Sequence, residues 1–273
     1  MRRIINRRPD RLGALLLGTL PFLITAALYL TFSALRLAEN PNDKLLPSLA
    51  SLSDAVSRVA FTPDKITGEP VLWSDTLASL RRIALGLGLA TLAGLVFGIA
   101  NGLIPYIRAT LAPFTAVIAV IPPLALLPIL FIVFGLEEVS KVTLIFIGVT
   151  PFLLRDVAQR VEELPQEQLI KAQTLGASTW QIILRIVLPQ VTPRLIDGVR
   201  LSLGPAWLFL IAAEAIAAQG GLGFRIFLVR RYLAMDVILP YVAWITFLAA
   251  ACDYLLRLLS HRLFPWVAVS RGR

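Results

Sequence analysis

The sequence predicts an all-α membrane protein with about six transmembrane helices, and three observations support this prediction. Hydrophobic residues make up 57% of the chain, with a mean hydropathy of +0.78. Charged residues make up only 16%, whereas an ordinary soluble domain has about 25%. Apolar runs of roughly 20 residues, each long enough to cross the hydrocarbon core of a bilayer, take up most of the chain. Little sequence is left for a soluble catalytic domain.

Six segments have the length and composition of a membrane span. We expect helices because an α-helix satisfies its backbone hydrogen bonds internally, which an open structure in lipid cannot do. The predicted spans are residues 12–35, 83–104, 111–134, 139–154, 199–218 and 237–259. The chain then divides into a basic N-terminus (1–11), the first span (12–35), an external connector (36–80) that is partly helical around 46–60, a core domain (81–265) containing a long loop (155–197), and a tail (266–273).

The charge distribution predicts the orientation in the membrane. The 26 lysine and arginine residues, against 17 acidic residues, give a net charge of +9. In a soluble protein this excess would indicate a nucleic-acid partner, but here most of it flanks the apolar spans, so no nucleic-acid partner is predicted. Basic residues collect on the cytoplasmic side of membrane proteins. With the N-terminus inside, the four inner segments hold 16 of the 26 basic residues, which predicts that both termini face the cytoplasm.

Residue types that catalysis often requires are scarce. The single cysteine, Cys252, and the single histidine, His261, exclude an internal disulfide, a cysteine-rich or histidine-rich metal site and a Ser-His-Asp relay within the membrane. The chain also lacks the phosphate-binding loop G-x-x-x-x-G-K-[ST], so it cannot hold ATP in that way. We therefore predict that this chain is not an enzyme and binds no cofactor or metal.

The long inner loop is too regularly patterned to be a passive linker. Pro165 and Pro189 enclose apolar residues at largely helical intervals, which predicts two short helices joined near Gly176, the second ending at Pro189. The segment Ala172–Ser178 (AQTLGAS), followed by Ile186–Pro189 (IVLP), resembles the coupling loop of importer permeases of the ATP-binding-cassette (ABC) class. The resemblance implies that an ATPase contacts Ala172, Leu175, Gly176, Ala177, Ser178, Leu188 and Pro189.

Two positions of this loop depart from the family pattern. Ile170 and Lys171 stand where the family has the glutamate and first alanine of a Glu-Ala-Ala motif. An alternative interpretation is an amphipathic helix that only rests on the lipid headgroups. The spacing between Gly176 and Pro189 is that of the family and favours the coupling loop.

Three prolines in seven residues, Pro122, Pro123 and Pro128, interrupt the third predicted span. This stretch (IPPLALLP), with the Phe-Gly pair and the Glu-Val-Ser-Lys segment that follow it, resembles the permeases that serve taurine, alkanesulfonates, nitrate and related solutes. Broken helices are tolerated at membrane depth where the backbone is buried in protein or lines a water-filled path. A translocation path or gate is therefore predicted here, with a simple proline kink as the alternative.

Two acidic residues lie within the predicted fifth and sixth spans. Glu214 is at a depth where an acid costs about 2.5 to 3.5 kcal/mol, so we expect it to face the bundle. The resemblance extends through Ala213-Glu214 and the predicted turn at Gly220–Phe224, and it implies a place for Glu214 near the translocation path. A role in holding two helices together remains open. For Asp253, an ion pair with Arg257 at i+4 is predicted.

Two further patterns concern the second span. Arg81 and Arg82 precede it and are interpreted as interfacial anchors, with an anion site at the outer mouth as the alternative. Gly94, Gly98 and Gly102 recur every four residues and predict a stripe that lets another helix approach closely.

The resemblance covers roughly Leu77 to Pro265 and implies the fold of a MetI-like, type I ABC importer permease. It implies a multi-pass homodimer in the bacterial inner membrane. Its expected partners are ABC ATPase subunits, which would use the ATP, and an external solute-binding protein. The alternative is an ion-coupled secondary transporter that uses Glu214 and Asp253. That class would favour an internal inverted repeat, which is not evident in the sequence.

Overall fold

The computed structural model describes residues 9–41, 43–64 and 68–266, so most of the predicted termini 1–11 and 266–273 lies outside the described residues. A short 3-10 turn, Pro123–Leu126, precedes α5, and a π-helical turn, Ile183–Val187, joins α8 to α9. The α-helices are α1 (Arg11–Glu39), α2 (Leu49–Phe61), α3 (Val71–Leu103), α4 (Pro105–Ile118), α5 (Leu127–Phe134), α6 (Glu138–Glu162), α7 (Gln166–Thr174), α8 (Thr179–Ile182), α9 (Leu188–Ala217), α10 (Leu222–Arg230) and α11 (Met235–Leu263).

The predicted all-helical membrane fold is confirmed. Within the described residues, five helical stretches are long and apolar enough to cross a bilayer: α1, α3, α6, the continuous stretch Thr179–Ala217, and α11. The remaining predicted span, the third, corresponds to a pair of shorter helices, Pro105–Ile118 and Pro123–Phe134, bent by 82°. We refer below to the two ends of the helix bundle as the Glu214 end and the Gly176 end.

The core of the bundle is the contact between α3 and α6, which run parallel, with α9 packed against both. The predicted glycine stripe faces α6: a Cβ atom added at Gly98 would lie 2.6 Å from Cβ of Val157 and 3.0 Å from the carbonyl oxygen of Leu154. Gly94 and Gly102 approach α6 in the same way. Because the glycines of α3 contribute no side chain here, the side chains of Leu153, Val157 and Val161 of α6 pack directly against the α3 backbone.

We expect Gly98→Leu to destabilise the bundle by about 1 to 3 kcal/mol, because the added side chain would force α3 and α6 apart. The measurement is thermal unfolding in mild detergent, followed by size-exclusion chromatography. Gly88→Leu is the matched control, since it lies on the same helix and nothing surrounds its Cβ position within 4 Å. Equal losses for the two variants would contradict the close-packing interpretation.

The first helix stands apart from this core. In α1 the buried residue is Ser33, whose hydroxyl donates to the carbonyl oxygen of Leu46 at 2.9 Å. Tyr29 donates to the carbonyl oxygen of Pro47 at 2.7 Å, and Arg36 pairs with Asp43. These bonds therefore join α1 to the connector that follows it. Most of the apolar side chains of α1 stay exposed and can contact lipid or another chain.

The predicted external connector, 36–80, is shorter than expected. The first helix continues to Glu39, and α3 already begins at Val71. The predicted helix around 46–60 is confirmed as α2. The prediction assigned Asp75 and Ser79 to the connector by position, but both are buried inside the helix bundle.

The third predicted span, 111–134, is wrong as a single helix. Helix α4 begins at Pro105, and the chain turns by 82° before the segment Pro123–Phe134. Pro122 and Pro123 start the 3-10 turn, and Pro128 lies in the first turn of α5. Proline is favoured at helix starts because the missing N–H has no intrahelical partner there, so the prolines begin new helices.

The predicted pair of short helices between Pro165 and Pro189 is half correct. The first is α7, but the second is continuous with α9 and does not end at Pro189. The π-helical turn precedes this proline, and the amide of Leu188 donates to the carbonyl oxygen of Ile183, five residues back. The widened turn accommodates a proline ring that would clash with a regular helix.

Candidate functional site

A tight turn at Gly176 ends α7. Gly176 has φ of +81°, a conformation that favours glycine because it has no Cβ. Its N–H donates to the carbonyl oxygen of Gln173 at 2.9 Å, and that of Ala177 donates to Ala172 at 3.0 Å. This pair of bonds is the Schellman motif, which satisfies the last carbonyl groups of a helix. The predicted bend at Gly176 is therefore confirmed and has a fixed geometry.

The predicted coupling residues differ in their exposure. Leu175 is 79% exposed at the tip of the turn, whereas Ala172 is buried against the core. Ile170 and Trp180 are also largely exposed. Three exposed apolar side chains, those of Ile170, Leu175 and Trp180, thus lie before, at and after the turn. Trp180 was missed from the sequence; a large aromatic residue directly after a helix-capping serine and threonine was the available signal.

The chain leaves the turn through a well-capped helix start. The hydroxyl of Ser178 accepts from the amide of Gln181 at 3.3 Å, and the Gln181 side chain accepts from the amide of Ser178 at 2.8 Å. This capping box fixes the direction of α8. Leu188 is half-buried and Pro189 is exposed, both beyond the π-helical turn. The turn and the following span therefore form one continuous unit.

Glu214 lies in a buried polar cluster at the opposite end of the bundle. Its side chain is 0% exposed. One carboxylate oxygen accepts from Arg82 at 2.6 Å and from Ser79 at 2.7 Å, and the other accepts from the amide of Gly223 at 2.8 Å. These contacts join α9 to α3 and α10. They match the helix-holding role that the sequence left open for Glu214; its predicted place near a translocation path stays a prediction.

Arg82 is the centre of this cluster, so its interpretation as an interfacial anchor is wrong. Besides Glu214, it donates twice to Glu138 at 2.7 Å and once to the carbonyl oxygen of Gly220 at 2.8 Å. Arg82 therefore ties the starts of α3 and α6 to the end of α9. We call the residues Asp75, Ser79, Arg82, Glu138 and Glu214 the Glu214 cluster.

Asp75 continues the cluster toward α10 and α11. It accepts from the amide of Gly221 at 2.9 Å, from Arg225 at 2.9 Å and from the hydroxyl of Tyr241 at 3.2 Å. The amide of Leu222 donates to Ser79 at 2.9 Å. Side chains of α3 and α9 thus satisfy the first amides of α10, which have no partners within that helix. The predicted turn at Gly220–Phe224 is confirmed as the entry to α10.

The second intramembrane acid is also paired, although not as predicted. Asp253 accepts from Arg200 of α9 at 2.7 Å and 3.0 Å. The prediction of an i+4 pair with Arg257 is wrong because the guanidinium of Arg200 reaches Asp253 from the neighbouring helix. With both Glu214 and Asp253 in ion pairs, the ion-coupled transporter alternative has no support.

A cavity of about 500 Å³ lies beside α6, between the bent segment and α9. Pro123, one of the three prolines predicted to form a translocation path or gate, lines this cavity. Pro122, Pro128 and Glu214 do not line it. Its wall is mostly apolar, with Arg155, Asp156 and Gln159 at the side nearer the Gly176 end.

Just beyond α6, hydrogen bonds from Arg160 and Gln159 lower the pKa of Glu163, so this carboxylate stays ionised near neutral pH.

Comparison with known proteins identifies the family. The family model described as "Binding-protein-dependent transport system inner membrane component" matches residues 86–269. The chain belongs to this family. It is 39% identical over 198 residues to the taurine transport system permease protein TauC of Escherichia coli (strain K12), with 72% of each chain covered. It is 29% identical over 201 residues to the putative aliphatic sulfonates transport permease protein SsuC of Bacillus subtilis (strain 168), covering 74% of this chain and 72% of that protein.

The fold also has a close counterpart among solved structures. An inward-facing structure of the MetNI methionine ABC transporter superposes with a TM-score of 0.61 at 20% identity, covering 72% of this chain and 96% of that chain. The permease is therefore a multi-pass membrane protein with the MetI-like, type I importer fold that the coupling-loop motif predicts.

Proposed function

We propose that this permease forms the path by which a small sulfonate-, taurine- or nitrate-like solute enters the cell, powered by separate ABC ATPase subunits. The observation that carries the proposal is the exposed, rigid turn at Gly176, which continues through α8 into the membrane-spanning α9. A relative 39% identical to this chain is a taurine permease, which supports the solute class.

The surface around Gly176 supports an ATPase as the partner. Leu175, Ile170 and Trp180 present exposed apolar side chains beside the turn, and a short helix with such a surface can seat in a groove of a partner protein. Ala172 is buried and would contribute indirectly, by packing α7 against the core. Ser178 fixes α8 in direction, while Leu188 and Pro189 lie too far along the chain to share this surface and would act through the π-helical turn.

The proposed topology places the Gly176 end in the cytoplasm and the Glu214 end outside. Basic residues near both termini and on the inner loop support this orientation. The proposed assembly is a homodimer that receives its solute from an external binding protein. The apolar, largely exposed surface of α1 is available for contact with lipid or with the second copy. The ATP is used by the partner ATPase, and no cofactor is proposed in this chain.

Reconstitution tests the proposal. The permease and its ATPase are reconstituted into proteoliposomes, and the binding protein is added on the side opposite the ATPase. Uptake of radiolabelled taurine is then measured with ATP supplied on the ATPase side. We expect uptake that requires all three proteins and stops with a non-hydrolysable ATP analogue. Butanesulfonate and nitrate serve as competing solutes. Taurine uptake driven by a proton or sodium gradient without the ATPase would contradict the proposal.

A further inference from the structure

The cavity beside α6 is lined by a cation that has no partner among the described residues. Arg155 lines it together with the apolar side chains of Ile118, Pro151 and Phe209. Arg155 lies seven residues before the end of α6, about 10 Å of helix, and its side chain is exposed. In the part of the chain that the structure describes, no hydrogen bond or ion pair joins its side chain to another residue.

The neighbouring arginines make this arrangement informative. Arg160 pairs with Asp156 and Glu163, Arg200 pairs with Asp253, and Arg108 pairs with Glu162. Each of these guanidinium groups near the same end of the bundle therefore has a carboxylate partner. An ionisable side chain on a membrane-spanning helix is a functional-site candidate when it faces the bundle interior or a cavity. Arg108 also lines a cavity, but it pairs there with Glu162. Of these four arginines, Arg155 is the one that lines a cavity with no carboxylate partner among the described residues.

The acid that lines the same cavity does not neutralise Arg155. Asp156 lies 3.4 Å from Arg160. A Cβ atom added at Gly198 of α9 would lie 3.0 Å from one of its carboxylate oxygens, so the carboxylate is directed at α9. Gln159, one turn after Arg155 on the same face of α6, uses its amide nitrogen to bond Glu163 at 3.0 Å. The carboxylate of Asp156 is thus engaged away from Arg155, whose positive charge is available to a molecule in the cavity.

We propose that Arg155 is a contact site for the anionic head group of the solute as it passes through this cavity. The guanidinium suits planar or tetrahedral oxyanions because its N–H groups bind two oxygens at once. The matching solute class is a small organic anion with one sulfonate or carboxylate group and a short apolar or amino tail. The identity of the solute rests on the proposed function, whereas the attraction of anions to Arg155 does not.

A cysteine reporter tests the attraction directly. In a Cys252→Ala background, Gln159→Cys places a single thiol four residues from Arg155 on the cavity wall. Its reaction rate is measured with two thiol reagents of similar size, the anionic sulfonatoethyl methanethiosulfonate and its cationic trimethylammonium counterpart. We expect the ratio of the anionic to the cationic rate to fall by about fivefold when Arg155→Gln is added. Unit charges about 8 Å apart in water change each rate by roughly a factor of two, in opposite directions for the two reagents.

The control is Arg262→Gln, which removes an exposed arginine on the last turn of α11 and should leave the ratio unchanged. Arg155→Lys should keep at least half of the effect, because it retains the charge without the bidentate geometry. An unchanged ratio for Arg155→Gln, or an equal change for Arg262→Gln, would overturn the proposal. This test uses the purified permease, so it holds whether or not taurine is the transported solute.

Transport measurements separate this inference from the proposed function. In proteoliposomes with the ATPase and the binding protein, Arg155→Gln should lower ATP-dependent taurine uptake about tenfold while ATPase co-purification stays within twofold of wild type. If the wild-type permease takes up no taurine while the reporter ratio changes as expected, the solute assignment fails and the anion site stands. If wild type takes up taurine and Arg155→Gln does so at the same rate, the anion site is wrong and the proposed function stands.

Discussion

Replacing Arg82 with methionine is expected to lower the stability of the bundle by about 3 to 5 kcal/mol, because it leaves the carboxylate of Glu214 buried without its cation. Glu214 is 0% exposed, and it would keep only Ser79 and the amide of Gly223 as partners. The measurement is the thermal midpoint in mild detergent, read by size-exclusion chromatography.

Two further variants distinguish loss of the buried pair from general damage at this end. Glu138→Gln should cost no more than about 1 kcal/mol, since Glu138 is 60% exposed and solvent screens its pair with Arg82. The double variant Arg82→Met, Glu214→Met should be more stable than Arg82→Met alone, because it removes the unpaired charge as well. A double variant less stable than the single one would contradict the assignment of the cost to the buried carboxylate.

Gly176→Val is expected to lower ATPase co-purification and ATP-dependent taurine uptake at least tenfold. A β-branched residue at φ of +81° is strained by about 1 to 3 kcal/mol, and the turn can relieve this strain only by changing shape. Gly176→Asn should stay within about threefold of wild type, because asparagine tolerates the left-handed region better than most residues. No side chain or backbone atom lies within 4 Å of the added Cβ position, so a steric clash does not explain a loss.

Gly68→Val is the matched control for this experiment. Gly68 has φ of +70° and also has open space around its Cβ position, but it belongs to the connector before α3. We expect this variant to keep the ATPase bound even if the protein is slightly less stable. Loss of the ATPase in both valine variants would indicate that backbone strain destabilises the whole permease, and the assignment of Gly176 to the docking surface would then be wrong.

Much of the fold could be predicted because the bilayer imposes a simple rule on composition. The apolar runs located five long helices, and the four-residue glycine spacing identified the face of α3 that packs on α6. The bend at Gly176 followed from one glycine between two helical patterns. These features are local, since each depends on residues that are close together in the sequence.

The polar cluster could not be predicted because its members are far apart in the sequence. Arg82 and Glu214 are separated by 132 residues, and Asp75 and Tyr241 by 166. The predicted connector 36–80 included Asp75 and Ser79, although both are buried in a helix. The same limitation produced the error at Asp253, for which the sequence offered a neighbour one turn away and the structure supplies Arg200, 53 residues distant.

The continuous helical stretch from Thr179 to Ala217, which includes the π-helical turn, has a mechanical consequence. Its 39 residues form a rod about 58 Å long, with the Gly176 turn at one end and Glu214 near the other. Rotating such a rod by about 5° around its midpoint would displace each end by roughly 2.5 Å, which is enough to lengthen a hydrogen bond beyond its useful range. If the stretch moves as one unit, we expect a displacement at the Gly176 turn to reach the ion pair of Glu214 with Arg82.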